Sequence, residues 1–99
     1  MNILMKFGDV ADRAGYKPGP DGKLNLPATQ ATADALAAAA VALLPEWHPG
    51  DPAMPGVTLT GAGPVWGHLV IAHSLHGRVP TLTYAAPNAP DITIWHHGA

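Results

Sequence analysis

The chain has no cysteine. That excludes disulfide staples and thiolate metal sites, and it fits a cytoplasmic protein. Charge is scarce as well: 12 % of the residues, against about a quarter in ordinary usage. A surface so poor in charge is expected to be covered in part by another subunit, a frequent remedy for a small core. Only five residues are Lys or Arg, all scattered, and the net charge is −2. Duplex DNA is therefore not an expected partner, because its phosphates demand many basic contacts. A small anionic nucleotide stays open, because backbone N–H groups can hold one. The longest apolar run, residues 35–44, is half a membrane span, so no membrane partner is expected. The opening "MNILMKFGDV" is too short, and too polar after Met5, for a signal peptide.

What is present is enough for one small domain. The chain has 99 residues, and such a length buries roughly 60–65 % of its unfolded surface. Residues 2–7 read as a strand. Residues 8–23 hold four glycines and two prolines and read as loop. "KLNL" alternates over 23–26 and predicts a short strand. Residues 29–44 form the clearest helix: Thr29 or Thr32 caps it, Ala and Leu fill it, and Pro45 stops it. "EWHPGDPAMPG" is a second loop. A strand over 57–61, a helix over 64–75, a strand over 81–85, a turn at "APNAP" and a last strand over 91–97 complete the chain. Pro64 suits the first helical turn, and Gly77 suits the position past the end. The order β(β)αβαββ predicts an α/β domain: a small mixed, mainly parallel sheet with helices packed on it, Rossmann-like in type.

"TLTGAGPVW" is a strand, a tight glycine turn and a helix start. Ligands of open α/β sheets bind at the carboxyl ends of strands, where a helix N-terminus offers unpaired N–H groups. Gly61 and Gly63 lack Cβ atoms, so a phosphate can approach the backbone closely. The stretch is neither a dinucleotide-binding glycine motif nor a P-loop. The competing reading is a turn that only joins two elements.

Five of the six histidines, at 68, 73, 76, 96 and 97, lie in the last third. His73 and His76 share a helix face, while His68 points about 140° away from His73 at 100° per residue. His97 shares a strand face with Trp95. Two or three imidazoles can therefore converge where the helix end meets the hairpin. With Asp91 they offer ligands for a transition metal; as hydrogen-bonding residues they would edge the core or a subunit contact. Trp66 is a core residue or a base-stacking one. Trp47, in the Pro-rich loop, suits a subunit contact. Arg78 is a solvated cation or a partner for phosphate or carboxylate. Ser74 has no nucleophile-elbow motif around it.

The segment "TGAGPVWGHLVIAHSLHGRVPTLTYAAP" resembles the small CRISPR-associated Csx-three family, the ring nucleases of type III CRISPR systems. The resemblance rests on G-x-G-P-V-W, on a helix with A-H and a later His, and on a strand carrying Tyr84 where the family has Y-D-P, across residues 56–97. It implies a fold related to nucleotide-sensing CARF domains. It implies a dimer that stacks further around its ligand, cyclic tetra-adenylate. It implies manganese-dependent cleavage of that ring, an RNA phosphodiesterase activity that switches an antiviral signal off. By the same resemblance Gly61, Ala62, Gly63 and Pro64 contact phosphate; Trp66 and Arg78 are further ligand-binding candidates on the residue reading given above. His76 is catalytic, with His73 close by. The family's acidic residue after the fourth strand falls on Ala85 or Ala86. Asp91 is one candidate to replace it, as catalytic residue and, with His76, as metal ligand; the alternative is a module that binds the ring without cutting it.

Overall fold

A computed structural model describes residues 2–45 and 54–96. The fold is α/β, as the element order predicts: among the described residues three helices lie on a four-stranded, mostly parallel sheet of Rossmann-like type. β1 (Asn2–Lys6), β2 (Gly56–Thr60) and β3 (Thr81–Ala85) run parallel in that spatial order, and β4 (Ile92–His96) returns antiparallel beside β3. Both parallel connections step in one direction along the sheet. Right-handed crossovers then put the helices on one face.

α2 (Gln30–Ala42) and α3 (Val65–Leu75) pack against each other there. Met5, Val57, Leu59 and Leu82 point into the resulting core with Leu36, Ile71 and Leu75. The opposite sheet face carries a row of paired positions, Leu4, Thr58, Thr83 and Thr93. Leu4 on it is 58 % exposed. Parallel strands are usually covered on both faces; among the described residues no helix covers the second. No helix is long and apolar enough to cross a membrane among the described residues.

Local signals explain the helix ends. The Thr29 hydroxyl accepts from Thr32 N at 3.2 Å and caps α2. Pro64 caps α3 with an extended backbone, one position earlier than expected, and its carbonyl accepts from Gly67 and His68. Gly77, with φ +83°, reverses the chain just past α3, as its position predicts.

Two expectations fail. Residues 8–23 are not all loop, because α1 (Phe7–Arg13) begins there. Phe7, Val10 and Ala11 are buried at helical spacing, and the glycines and prolines that suggest a loop lie after residue 14, apart from Gly8. Gly15, with φ +96°, ends the helix. Residues 23–26 are not a strand. Leu24 and Leu26 rest on the core from an extended loop, and one-sided burial of such a loop gives the same alternation as a strand. Trp47, His48 and His97 lie outside the described residues.

Candidate functional site

Thr60 ends β2, and the chain turns through Gly61, Ala62 and Gly63 to Pro64. Gly61 has φ +99°, a conformation that disfavours any side chain. The turn lies on Phe7. A Cβ on Gly63 would stand 2.7 Å from the Phe7 ring, and one on Gly67 would stand 2.7 Å from its far side. These glycines are therefore required first by packing. Their other side is free, since Gly61, Ala62 and Gly63 are all exposed. The Thr60 hydroxyl donates to Ala85 O at 2.8 Å and ties the ends of β2 and β3 together.

Two grooves flank this turn at the carboxyl ends of the parallel strands. The larger, about 1050 Å³, runs from the turn to Lys6, Asp9, Tyr16, Lys23 and Asn25. The smaller, about 330 Å³, is lined by the turn, His68, Tyr84, Ala85, Ala86 and Pro87. A groove at this edge of an open α/β sheet is where such folds take ligands. α3 begins at the turn, so its free N–H groups and positive dipole end face the same region.

His68 stands between the smaller groove and the core. Its ring centroid lies 4.9 Å from that of Phe7 and 5.4 Å from that of Tyr84. Burial lowers its pKa from the usual 6.5, and a hydrogen bond with the Gly61 backbone opposes this. The neutral ring is thus favoured in the folded protein. The unfolded chain then binds more protons as pH falls, so stability rises with pH across this range. Thermal unfolding should show Tm falling as pH drops below about 6.5, and His68→Gln should flatten that dependence. Equal pH profiles for the two proteins would show that His68 is not the group responsible.

The remaining candidates separate into two edges. Asp91 precedes Ile92, which pairs with Tyr84, so Asp91 sits at the glycine edge. His73 and His76 sit at the other end of α3, about 12 and 16 Å from Val65 along the helix at 1.5 Å per residue. There the His76 and Trp95 rings meet edge-on at 5.1 Å. His96 Nδ1 lies 2.8 Å from the Thr81 hydroxyl, and Arg78 Nε donates to Ser74 O. The helix end does meet the hairpin, as the histidine spacing suggests, but Asp91 is not there. Arg78 is on the histidine edge, away from the glycine turn. Trp66 is half-buried against the core and lines neither groove, which favours its core reading.

Lys6, Tyr16, Lys23 and Tyr84 carry no site motif in the sequence, and His68 stands there only as the histidine that points away from the others. Lys6 ends the first parallel strand, and the rule that ligands sit at such ends would have found it. His68 follows Pro64 by four residues, one turn from the helix start. Lys23 and Tyr16 reach the groove only through the fold of the 15–26 loop, which leaves no periodic signal.

No group of three metal-ligating side chains gathers among the described residues. His76 and Asp91 lie at opposite edges of one chain, so the pair does not fit a manganese ion held within it. No protein-family model, curated protein or solved structure matches the chain.

Proposed function

We propose that the protein binds a cyclic oligoadenylate, cyclic tetra-adenylate, on its glycine edge and opens the ring between stacked copies. One observation carries this reading: an exposed backbone turn at a helix N-terminus lies between two grooves at the carboxyl ends of parallel strands. The resemblance to the Csx-three ring nucleases supplies the ligand. Phosphates rest on Gly61, Ala62 and Gly63 (the backbone N–H groups replacing scarce basic side chains).

Cleavage follows from the ring's own chemistry. The 2′-OH attacks the adjacent phosphorus and the P–O5′ bond breaks. A 2′,3′-cyclic phosphate forms, and the proton ends on O5′. Holding these atoms in line supplies much of the rate, and an imidazole relays the proton. His76 serves this role from a second copy, because its own glycine edge lies at the far end of α3. The bare threonine face and the exposed Val65 and Leu69 suit self-association. A manganese ion would likewise need ligands from more than one copy, to which each chain offers His73 and His76. On this reading the protein acts in the cytoplasm, where it ends a type III CRISPR antiviral signal.

A second reading is a module that holds the ring intact. The alanines at 85 and 86 favour it, since they line the smaller groove where the resembling family has its acid. One experiment separates the two readings. The protein is incubated with cyclic tetra-adenylate, with manganese in one sample and chelator in the other, and the products are separated chromatographically. Linear product with manganese alone is the expected result. Intact ring that elutes with the protein in both samples selects the holding module. Intact ring that elutes free of it refutes both readings.

A further inference from the structure

The chain has five basic side chains in all. Lys17 pairs with Asp12, the one ion pair among the described residues. Arg78 sits on the histidine edge, bound to Ser74 O, and Arg13 ends α1. The other two, Lys6 and Lys23, line the larger groove together with the glycine turn. They come from the end of β1 and from the 15–26 loop, so only the fold brings them together. Both are exposed. Asp9 also lines the groove, at the start of α1, and leaves the two lysines with a net positive charge. Asp21, the carboxylate nearest Lys23 in sequence, accepts from the Lys23 backbone N–H at 3.0 Å.

Two cations without a carboxylate partner among the described residues, in a protein so poor in them, mark the groove for an anion. Its volume is at the upper end of the range that holds small ligands, about 300–1000 Å³. Tyr16 adds a fixed aromatic wall, its hydroxyl 3.4 Å from the Thr32 hydroxyl. We infer that the larger groove is a second phosphate subsite, in which Lys6 and Lys23 hold the nucleotide phosphate next to the one on the glycine turn. Each chain therefore grips two successive phosphates of an oligonucleotide. This rests on the proposed phosphate cradle at the turn but not on the ligand being a ring.

The test uses a 5′-phosphorylated linear diadenylate, which carries two phosphates and no ring, beside cyclic tetra-adenylate. Affinity is measured across a range of salt for the wild type, Lys6→Gln, Lys23→Gln, the double variant, and a Lys6→Arg/Lys23→Arg control. Each glutamine should weaken diadenylate binding by about threefold to fivefold, the upper range for an exposed charge pair. The double variant should lower the slope of log affinity against log salt by about 0.7, the loss of one phosphate contact on a single strand. The arginine control should keep the slope, and Tm should hold throughout because both lysines are exposed. Unchanged diadenylate affinity and slope in the double glutamine variant would overturn the subsite. If that happens while the wild type still binds the ring, the ring reading stands without it. Diadenylate bound through the lysines with no ring binding would leave the subsite and remove the ring. Binding of neither probe removes both.

Discussion

Gly67→Ala destabilises this protein, although the same change inside an ordinary helix stabilises it. Gly67 lies within α3, where alanine should gain about 0.5–1 kcal/mol by propensity. Here the new Cβ would stand 2.7 Å from Phe7 Cε2 and 2.8 Å from Cζ. A side-chain end can often swing aside. This one cannot, because Phe7 is fully buried, Gly63 presses the same ring, and His68 packs at 4.9 Å. Overpacking of this kind costs about 1–3 kcal/mol and outweighs the propensity gain. A net loss of about 1 kcal/mol lowers Tm by about 4–8 °C in a domain of this size. Combining Gly67→Ala with Phe7→Leu should cost less than the sum of the two, since the residues share one space. Thermal unfolding of the four proteins checks this; a higher Tm for Gly67→Ala would mean that Phe7 does not lie under the turn.

The same packing decides how the site can be probed. A side chain at Gly63 would meet Phe7 before it met any ligand, so glycine substitutions read out folding. Ala62 is the better position: it is exposed and lines both grooves.

Ala62→Glu and His76→Ala should each abolish ring cleavage, and a mixture of the two should restore part of it. The glutamate places negative charge on the proposed phosphate cradle. Like charges in contact near a protein surface cost several kcal/mol, so ring affinity should fall by at least about tenfold. His76→Ala leaves the cradle intact and removes the proposed proton relay from the opposite edge. If the reacting site is built from the glycine edge of one copy and the histidine edge of another, mixing yields some intact sites. In a head-to-tail arrangement about one quarter of the interfaces then pair a good cradle with a good histidine. Turnover by the separate and mixed variants measures this directly. Full activity of His76→Ala alone would remove His76 from the reaction. A mixture no more active than its parts would place both groups in one chain or in none.

The sheet and two of the helices were legible because their signals are local. Alternating Val57, Thr58, Leu59 and Thr60, the alanine-rich run before Pro45, and the Pro64 and Gly77 punctuation each act within a few residues. α1 was hidden because Gly8 and the later Gly–Pro cluster outweighed the short spacing of Phe7, Val10 and Ala11. The glycine turn was legible as a candidate site, but not the reason for Gly63, which lies 56 residues away in Phe7. The histidines were legible as a group, yet the separation of Asp91 from them depends on the antiparallel return of β4, which pairs Tyr84 with Ile92 and Thr81 with His96. Lys23 entered the site through a loop, where no periodicity announces position.

The central claim is that the glycine edge holds a cyclic oligoadenylate. Titration calorimetry of cyclic tetra-adenylate into the wild-type protein and into Ala62→Glu, without added metal, tests it most directly. The account predicts saturable binding by the wild type and a loss of at least about tenfold in the variant, with equal Tm for the two proteins. Equal affinity for both, or no heat from either, would contradict it.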